Sequence, residues 1–572
     1  MSRQGPVSAD LPVGSKVVPE SALLTMAIST DKGQWQKLRR FGTSESQAAL
    51  DQNLVKWRDR LLTANGYDFQ RDILPWVGPE ITLALMPAEL NTALKPTNQI
   101  SQSENSQSED PEDPDSDGSE TAAEADSDLQ PQASEADSDQ SMVMVLPINN
   151  LLKAKQLLER APLPEAGETA TKEYKGVQIW QTPNSDADQY AATVLEQKFL
   201  VVATHTSLLE QAIDTYKGEA SIATTPGYKE AFGQLDTIQP FAKLYVNVPA
   251  ASTLASASAT QPLSPQGLSQ LQNHQGIAAT ASLDQTGIRL QGVSWLKPDS
   301  ELKHEVGNKA GQMPRLLPEQ VLVMASGGNL QQLWQDYAKG AEKSPLTPFN
   351  PNLLGSGIQA TTGLNLNADL LPWMAGEFSL ALIPSDQADA AGLSAGLLLM
   401  VKVSDRNAAE TALKRLDEVM ASRHRFDVKT VKVNNQDVIH WTSPGSLVIT
   451  RGWLDSNVAF LAFGAPVVNT FIPQPNPSLA ASELFEETAS SALKSNNGRF
   501  FINVEQLLNA GTQFPFPQLP PKNEKFARAI RAIGVTAAVQ NEHTTRYDIY
   551  VALRKGERPG PLPSDSSEPT TP

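Results

Sequence analysis

The chain has 572 residues, a formal net charge of −18 and a hydrophobic content of 40%, too long for one hydrophobic core and suited to two to four domains. It contains no cysteine, which excludes disulfides, thiolate nucleophiles and cysteine zinc sites together while leaving the compartment open. Fourteen of its acidic residues lie in Thr97 to Ser141, a segment without Lys or Arg, so the remainder carries about −4 and lacks the basic stripe that nucleic-acid binding requires.

In chain order, MSRQGPVSADLPVGSK (1–16) reads as a flexible N-terminus without the apolar stretch of a signal peptide. Ala22 to Ser29 predicts a strand, and helical patterns follow through Trp35 to Leu38 and Leu50 to Leu62. Asp72, Pro75 and Trp76 predict a short capped turn or helix, with Asp accepting backbone N–H bonds and Pro suited to a first turn. A strand follows over Ile81 to Met86. The acidic segment 97–141, almost free of large apolar residues, predicts a disordered loop. Met142 to Leu146 resumes the pattern as a strand and Asn150 to Arg160 as a helix. Strands are predicted over Gly176 to Gln181, Tyr190 to Ala203, Leu244 to Val248 and Ile277 to Trp295, with a helix at Leu208 to Tyr216. Segment 297–315 reads as a linker. Beyond it, Leu397 to Val403 predicts a strand, and Ala408 to Met420 a helix with Ala409, Leu413, Leu416 and Met420 on one face. Val438 to Trp441, Leu447 to Phe463, Phe500 to Val504 and Val535 to Leu553 predict further strands, and 556–572 is a Pro and Ser-rich tail without packing capacity. No run approaches the length of a membrane span.

Much of this pattern is written twice. Gly66 to Pro87 (GYDFQRDILPWVGPEITLALMP) aligns without a gap on Gly363 to Pro384 (GLNLNADLLPWMAGEFSLALIP), with ten identities in 22 positions. PESALLTMAIS from Pro19 echoes PEQVLVMASGG from Pro318, and GVQIWQTP (Gly176 to Pro183) echoes DVIHWTSP (Asp437 to Pro444). Preserved order predicts an internally duplicated α+β protein, with repeats at 17–296 and 316–555 forming two similar lobes. Strands in hairpin order imply a mainly antiparallel sheet with packed helices in each lobe. The second copy links the equivalent strands through Ser385 to Gly396 alone, so the acidic segment reads as a loop insertion, whose closure entropy grows only logarithmically with length.

Residue types kept by both copies point to packing, and those in one copy alone point to function or to nothing. Trp76 and Trp373, with Asp72, Asp369, Glu80 and Glu377, are shared. They are candidates for lining two equivalent binding grooves, against a structural role in which the tryptophans fill cores and the aspartates cap short helices; the structural role is the expectation. Trp180 and Trp441 correspond in the same way. His440 has Ile179 as its counterpart and is therefore a functional candidate or idle. Within the acidic loop Asp113, Asp115, Asp117, Gly118 and Glu124 match the spacing of a calcium loop, in which alternating carboxylates converge on one cation. Glu120 stands where an apolar residue normally pairs such loops, no amphipathic helices flank it, and a segment this acidic meets the pattern easily, so a solvated loop is expected and calcium is the only cofactor considered. The six histidines never fall at metal-ligand spacing, and neither H-E-x-x-H, G-x-S-x-G nor a P-loop is present. S-x-x-K occurs at Ser300 to Lys303 and Ser491 to Lys494 without the companion K-T-G, which leaves a serine–lysine acyl-transfer enzyme disfavoured.

At VVPESALLTMAISTDKGQW, NGYDFQRDILPWVGPEITLALMP and FLVVATHTSLLEQAIDTYKGEASIATTPGYKEAF the chain resembles a cyanobacterial family catalogued only as a domain of unknown function, numbered 3352. The likeness covers nearly all of both repeats and carries no chemistry. It implies a hydrophobic N-terminal anchor placing the body on the far, periplasmic side of a membrane, from which this N-terminus departs. The expected function is non-catalytic binding or scaffolding, with a protein or envelope component as partner. A hydrolase with a site in the cleft between lobes is the alternative, and weak calcium binding the second.

Overall fold

The computed structural model describes residues 11–61, 68–87, 141–160, 170–181, 190–235, 237–258, 273–300, 302–307, 309–341, 350–388, 392, 394–490, 493–509 and 521–562. Helices and antiparallel strands are mixed along it, as an α+β chain requires. The strands of the first part are β1 (Leu24–Ser29), β2 (Glu80–Leu85), β3 (Met142–Pro147), β4 (Ala170–Tyr174), β5 (Val177–Gln181), β6 (Ala191–Leu195), β7 (Phe199–Ala203), β8 (Ala242–Asn247), β9 (His274–Leu283) and β10 (Gly287–Leu296). Those of the second are β11 (Val323–Gly327), β12 (Phe378–Pro384), β13 (Ala395–Lys402), β14 (Asp427–Val433), β15 (Gln436–Thr442), β16 (Val448–Leu454), β17 (Val458–Gly464), β18 (Gly498–Ile502), β19 (Ile530–Asn541) and β20 (Thr544–Leu553).

All pairings are antiparallel and join the strands into one sheet. From one edge to the middle the order is β4, β5, β6, β7, β3, β2, β1, β8, β9, β10. From the other edge it is β14, β15, β16, β17, β13, β12, β11, β18, β19, β20, the same order with each number raised by ten. The two runs meet where β10 pairs with β20, from Gly287 opposite Ala552 to Trp295 opposite Thr544.

Side chains alternate across a strand, so a strand covered on both faces is a continuous apolar run. MVMVLP of β3 shows this: Val143 and Val145 enter one core with Val201 and Ala203 of β7, while Met144 and Leu146 enter another with Leu200 and Val202. The first core is closed by the helix Thr206–Tyr216, which buries Leu208, Leu209, Ala212 and Ile213. Each such side chain contributes about 1.5–3 kcal/mol through burial. The opposite face is closed by the helix Leu151–Arg160 and a π-helical turn, Phe69–Ile73. In the second half the helix Arg406–Ser422 takes the corresponding place, with Ala409, Ala412 and Leu413 buried. Near the junction Gly227, at φ 81°, lets Trp295 lie against the backbone; a Cβ there would meet Trp295 Nε1 at 2.4 Å.

The expected strands Tyr190–Ala203, Ile277–Trp295, Leu447–Phe463 and Val535–Leu553 each fold as a hairpin. The edge strands β4 (ATKEY) and β14 (DVKTVKV) have no predicted counterpart, because their charges hide the apolar signal. Val13–Lys16, inside the segment expected to be flexible, is a 3-10 helix with Gly14 and Ser15 buried. Within segment 297–315, His304 N donates to Glu542 O at 2.8 Å, Lys303 pairs with Glu542 at 2.7 Å, and Met313 is buried.

Candidate functional site

Both shared tryptophans are buried. Trp76 and Trp373 are 2% and 4% exposed, and each indole N–H donates back to the carbonyl of the aspartate four residues earlier, Asp72 at 2.6 Å and Asp369 at 3.0 Å. Those aspartates cap the π-helical turns reciprocally with the residue at the turn's start. Asp72 Oδ2 accepts from Asp68 N and Asp369 Oδ2 from Asn365 N, both at 2.8 Å, while Asp68 and Asn365 accept from Arg71 N and Ala368 N. The arrangement satisfies orphan donors at a helix start, as a capping box does. A hydrogen bond from the Arg71 guanidinium also holds the Asp72 carboxyl below its usual range.

Glu80 and Glu377 do one job in the two halves. Glu377 Oε1 accepts from the N–H groups of Gly311, Gln312 and Met313 at 2.6, 2.7 and 3.1 Å, holding the start of the 3-10 helix Met313–Leu316. Glu80 Oε1 accepts from Val13 N at 2.6 Å at the start of its counterpart, and Glu80 Oε2 pairs with Lys243 at 3.0 Å. Arg499, facing Glu377 from β18, has its pKa lowered by burial, against the opposing pull of that carboxylate.

His440 lies on β15 between Lys429 and Thr450, near the outer edge of the sheet, and burial pushes its pKa down. Neither of the hollows described below includes it. Its neighbour Trp441 is buried and donates to Asp417 Oδ1 at 2.8 Å. Asp417 also takes the Arg451 guanidinium through both oxygens, an ion pair that no motif announces. The candidate calcium ligands Asp113, Asp115, Asp117 and Glu124 lie outside the described residues.

Two groupings emerge only in three dimensions. Where β10 meets β20, Asp548 is 5% exposed, its carboxyl pushed up by burial and drawn down by Arg289, whose Nη1 stands 3.5 Å away. Arg289 also lies 5.4 Å from the Tyr550 ring centroid, and Tyr550 Oη shares a 2.8 Å hydrogen bond with Thr286. At one end of the same seam His274 and His304 sit with ring centroids 6.2 Å apart, His304 Nε2 buried without a hydrogen-bond partner. Burial lowers both pKa values; His304 adds repulsion at His274 and His543 at His304, with Asp336 pulling His304 the other way. No group of three or more His, Asp or Glu able to hold a metal exists among the described residues.

Two surface hollows stand out among the described residues. One, of about 340 Å³, lies in the second half between the 3-10 helix and the β16–β17 turn, with Gln312, Arg315, Lys402, Asp455, Asn457 and Gln474 among its lining. The other, of about 620 Å³, joins Gly42–Ser44 to Arg531, Arg554 and Lys555, where Arg554 is paired with Glu505 at 2.7 Å and Arg531 with Glu487 at 3.5 Å. The buried Asp548 lines neither. No helix among the described residues is long and apolar enough to cross a membrane.

A family model described as "Protein of unknown function (DUF3352)" matches residues 2–553. No curated protein matches. Among solved structures, crystal forms III and IV of TP0453 are similar at 8% identity and a TM-score of 0.23, each covering 50% of this chain and 80% and 81% of theirs. Crystal form I of TP0453 has 8% identity, a TM-score of 0.24 and coverage of 51% and 81%. Scores at that level support no argument about fold or function.

Proposed function

The chain belongs to this family of proteins of unknown function, and we propose that it works without catalysis, as a binding or scaffolding component of a cyanobacterial envelope or internal membrane system. The observation that carries the reading is where the shared polar and aromatic residues go. Trp76, Trp373, Asp72, Asp369, Glu80 and Glu377 are all spent on cores and helix starts, which leaves the surface of a large framework free to vary as a binding protein's does. We also read the chain as a fused pair of similar lobes, 17–296 and 316–555, on the strength of the repeated strand order and of the matching π-turns.

The rival reading, a hydrolase between the lobes, draws on Arg289 and Asp548 meeting at the seam. Asp548 is buried and lines neither hollow, which favours a role in holding the strands together. Affinity capture from the native cells should bring down a defined partner in constant ratio, while the purified protein should turn over none of a panel of esters, phosphoesters, peptides and glycosides. Turnover that Asp548→Asn or His440→Gln abolishes would overturn the reading. Weak calcium binding by Asp113, Asp115, Asp117 and Glu124 is a separate proposal resting on spacing alone, and the absence of heat at millimolar calcium in a calorimetric titration would end it.

A further inference from the structure

The hollow beside Lys402 has the make-up of a ligand site. Its floor is apolar, with Met313 and Val458 at 1% and 7% exposure. One wall is the 3-10 helix whose start Glu377 holds with three hydrogen bonds. The facing wall is the turn between β16 and β17, where Asp455 takes φ 50°. Arg406 fixes that turn, its guanidinium 3.8 Å from the Trp453 ring centroid and donating to Ser456 O, and Val403 N donates to Asn457 O at 2.8 Å. A cavity with walls held in this way loses little entropy when a ligand enters.

Lys402 and Arg315 line this frame, and among the described residues neither meets a carboxylate; Lys402 Nζ lies 3.3 Å from Gln312 Oε1. Two cations without an ion-pair partner lining one hollow favour an anion with several acceptor oxygens, and the amides of Gln312, Asn457 and Gln474 supply further donors. Asp455, by contrast, only accepts, so it repels a second anionic group and takes hydroxyl donors. Among the described residues the first half has no cation at the register of Lys402. By strand register Pro147 stands where Lys402 does, each opposite the first residue of the pairing strand, Phe199 or Val458. Lys402 is therefore not required by the architecture that the two halves have in common, whereas Asp455 has an acidic counterpart in Glu196 at the matching turn.

We infer that this hollow binds a small phosphate monoester carried on a hydroxylated body, the sugar-phosphate class, with Lys402 and Arg315 on the phosphate and Asp455 and Asn457 on the hydroxyls. The inference rests on the binding reading above and gives it a ligand. Calorimetric titration of the full chain with glucose 6-phosphate, glucose and inorganic phosphate tests it. The ester should give saturable heat, inorganic phosphate a weaker response and glucose none. Lys402→Ala and Arg315→Ala should each weaken the ester about tenfold or more, as loss of a charge-assisted contact does. Asp455→Asn should weaken the ester without weakening inorganic phosphate, and Lys432→Ala on the far edge strand should change nothing, with thermal melting confirming that every variant is folded. Lack of saturable heat at millimolar ester, or unaltered heat in the Lys402→Ala, Arg315→Ala double variant, overturns the site and leaves the scaffolding reading standing. Equal affinity for inorganic phosphate overturns the roles of Asp455 and Asn457. Hydrolysis of the bound ester would instead overturn the non-catalytic reading while the site stands.

Discussion

At single residues, the energies separate groups that merely fill space from groups whose loss strands a partner. Trp373→Ala removes a buried indole and opens a cavity, so it should cost about 3–5 kcal/mol in a denaturant titration. Asp417→Asn should cost about as much for another reason: Arg451, its side chain 8% exposed, would remain buried without its counter-charge, and breaking a buried pair costs about 3–5 kcal/mol. If that variant melted like the parent, the pair would be ornamental. The seam histidines give a pH dependence. His274 and His304 both titrate below the ordinary 6.5 in the folded chain, so the unfolded chain takes up protons first. Stability should thus be full above about pH 6.5 and fall as the pH drops toward the folded-state values. Glu542 and Lys303 are paired with each other nearby; Asp336 attracts the protonated His304, and His543 repels it. His274→Gln and His304→Gln should flatten the slope of melting temperature between pH 7 and pH 5, and an undiminished slope in the double variant would assign it elsewhere. Of these residues the tryptophans and their aspartates were legible in the sequence, because two copies keep them at one spacing. Glu377 was legible as important but not as a clamp, since its partners lie 64 to 66 positions away. Asp417 with Arg451, and His274 with His304, were illegible: folding alone brings them together.

Among the elements, the central strands announced themselves and the outer ones did not. Runs such as MVMVLP are apolar at every position because both faces are covered, whereas β14 mixes Val with Lys and Thr, the Lys and Thr exposed and the Val half-buried. Its charges have a reason. An edge strand presents unpaired N–H and C=O groups to any other strand, and lysines there deter pairing. Lys429 and Lys432 are largely exposed, in ion pairs with Asp427 and Asp437 that contribute little to stability at the surface. Replacing both by Val should leave the fold intact and produce concentration-dependent oligomers in analytical ultracentrifugation; a strictly monomeric double variant would show that the edge is protected by other means. The capped turn expected at Asp72, Pro75 and Trp76 is present but begins earlier: the π-helical turns span Phe69–Ile73 and Leu366–Leu370 with Asp68 and Asn365 at the N-cap, and Asp72 and Asp369 lie inside them and close back on those caps.

Across the whole molecule, one uninterrupted hydrogen-bond ladder runs from β4 to β14 and passes through the β10–β20 pair. Strands paired over nine positions, with Asp548 buried and Arg289 half-buried beside it, should couple the two halves, so calorimetry should record one unfolding transition. Two resolved transitions would mean that the seam is weak. Arg289→Ala, which leaves Asp548 buried beside one fewer cation, should lower that transition and, if the seam is the coupling element, begin to split it. The strand order adds a historical consequence. On the duplication reading, β10 of one unit lies against the same strand of the other, so a single-unit ancestor would have met a second molecule of itself along that strand as a twofold dimer. Covalent fusion makes such an encounter independent of protein concentration. It also uses up that edge in both partners, so that among the described strands only the outer edges β4 and β14 remain for any further strand to join.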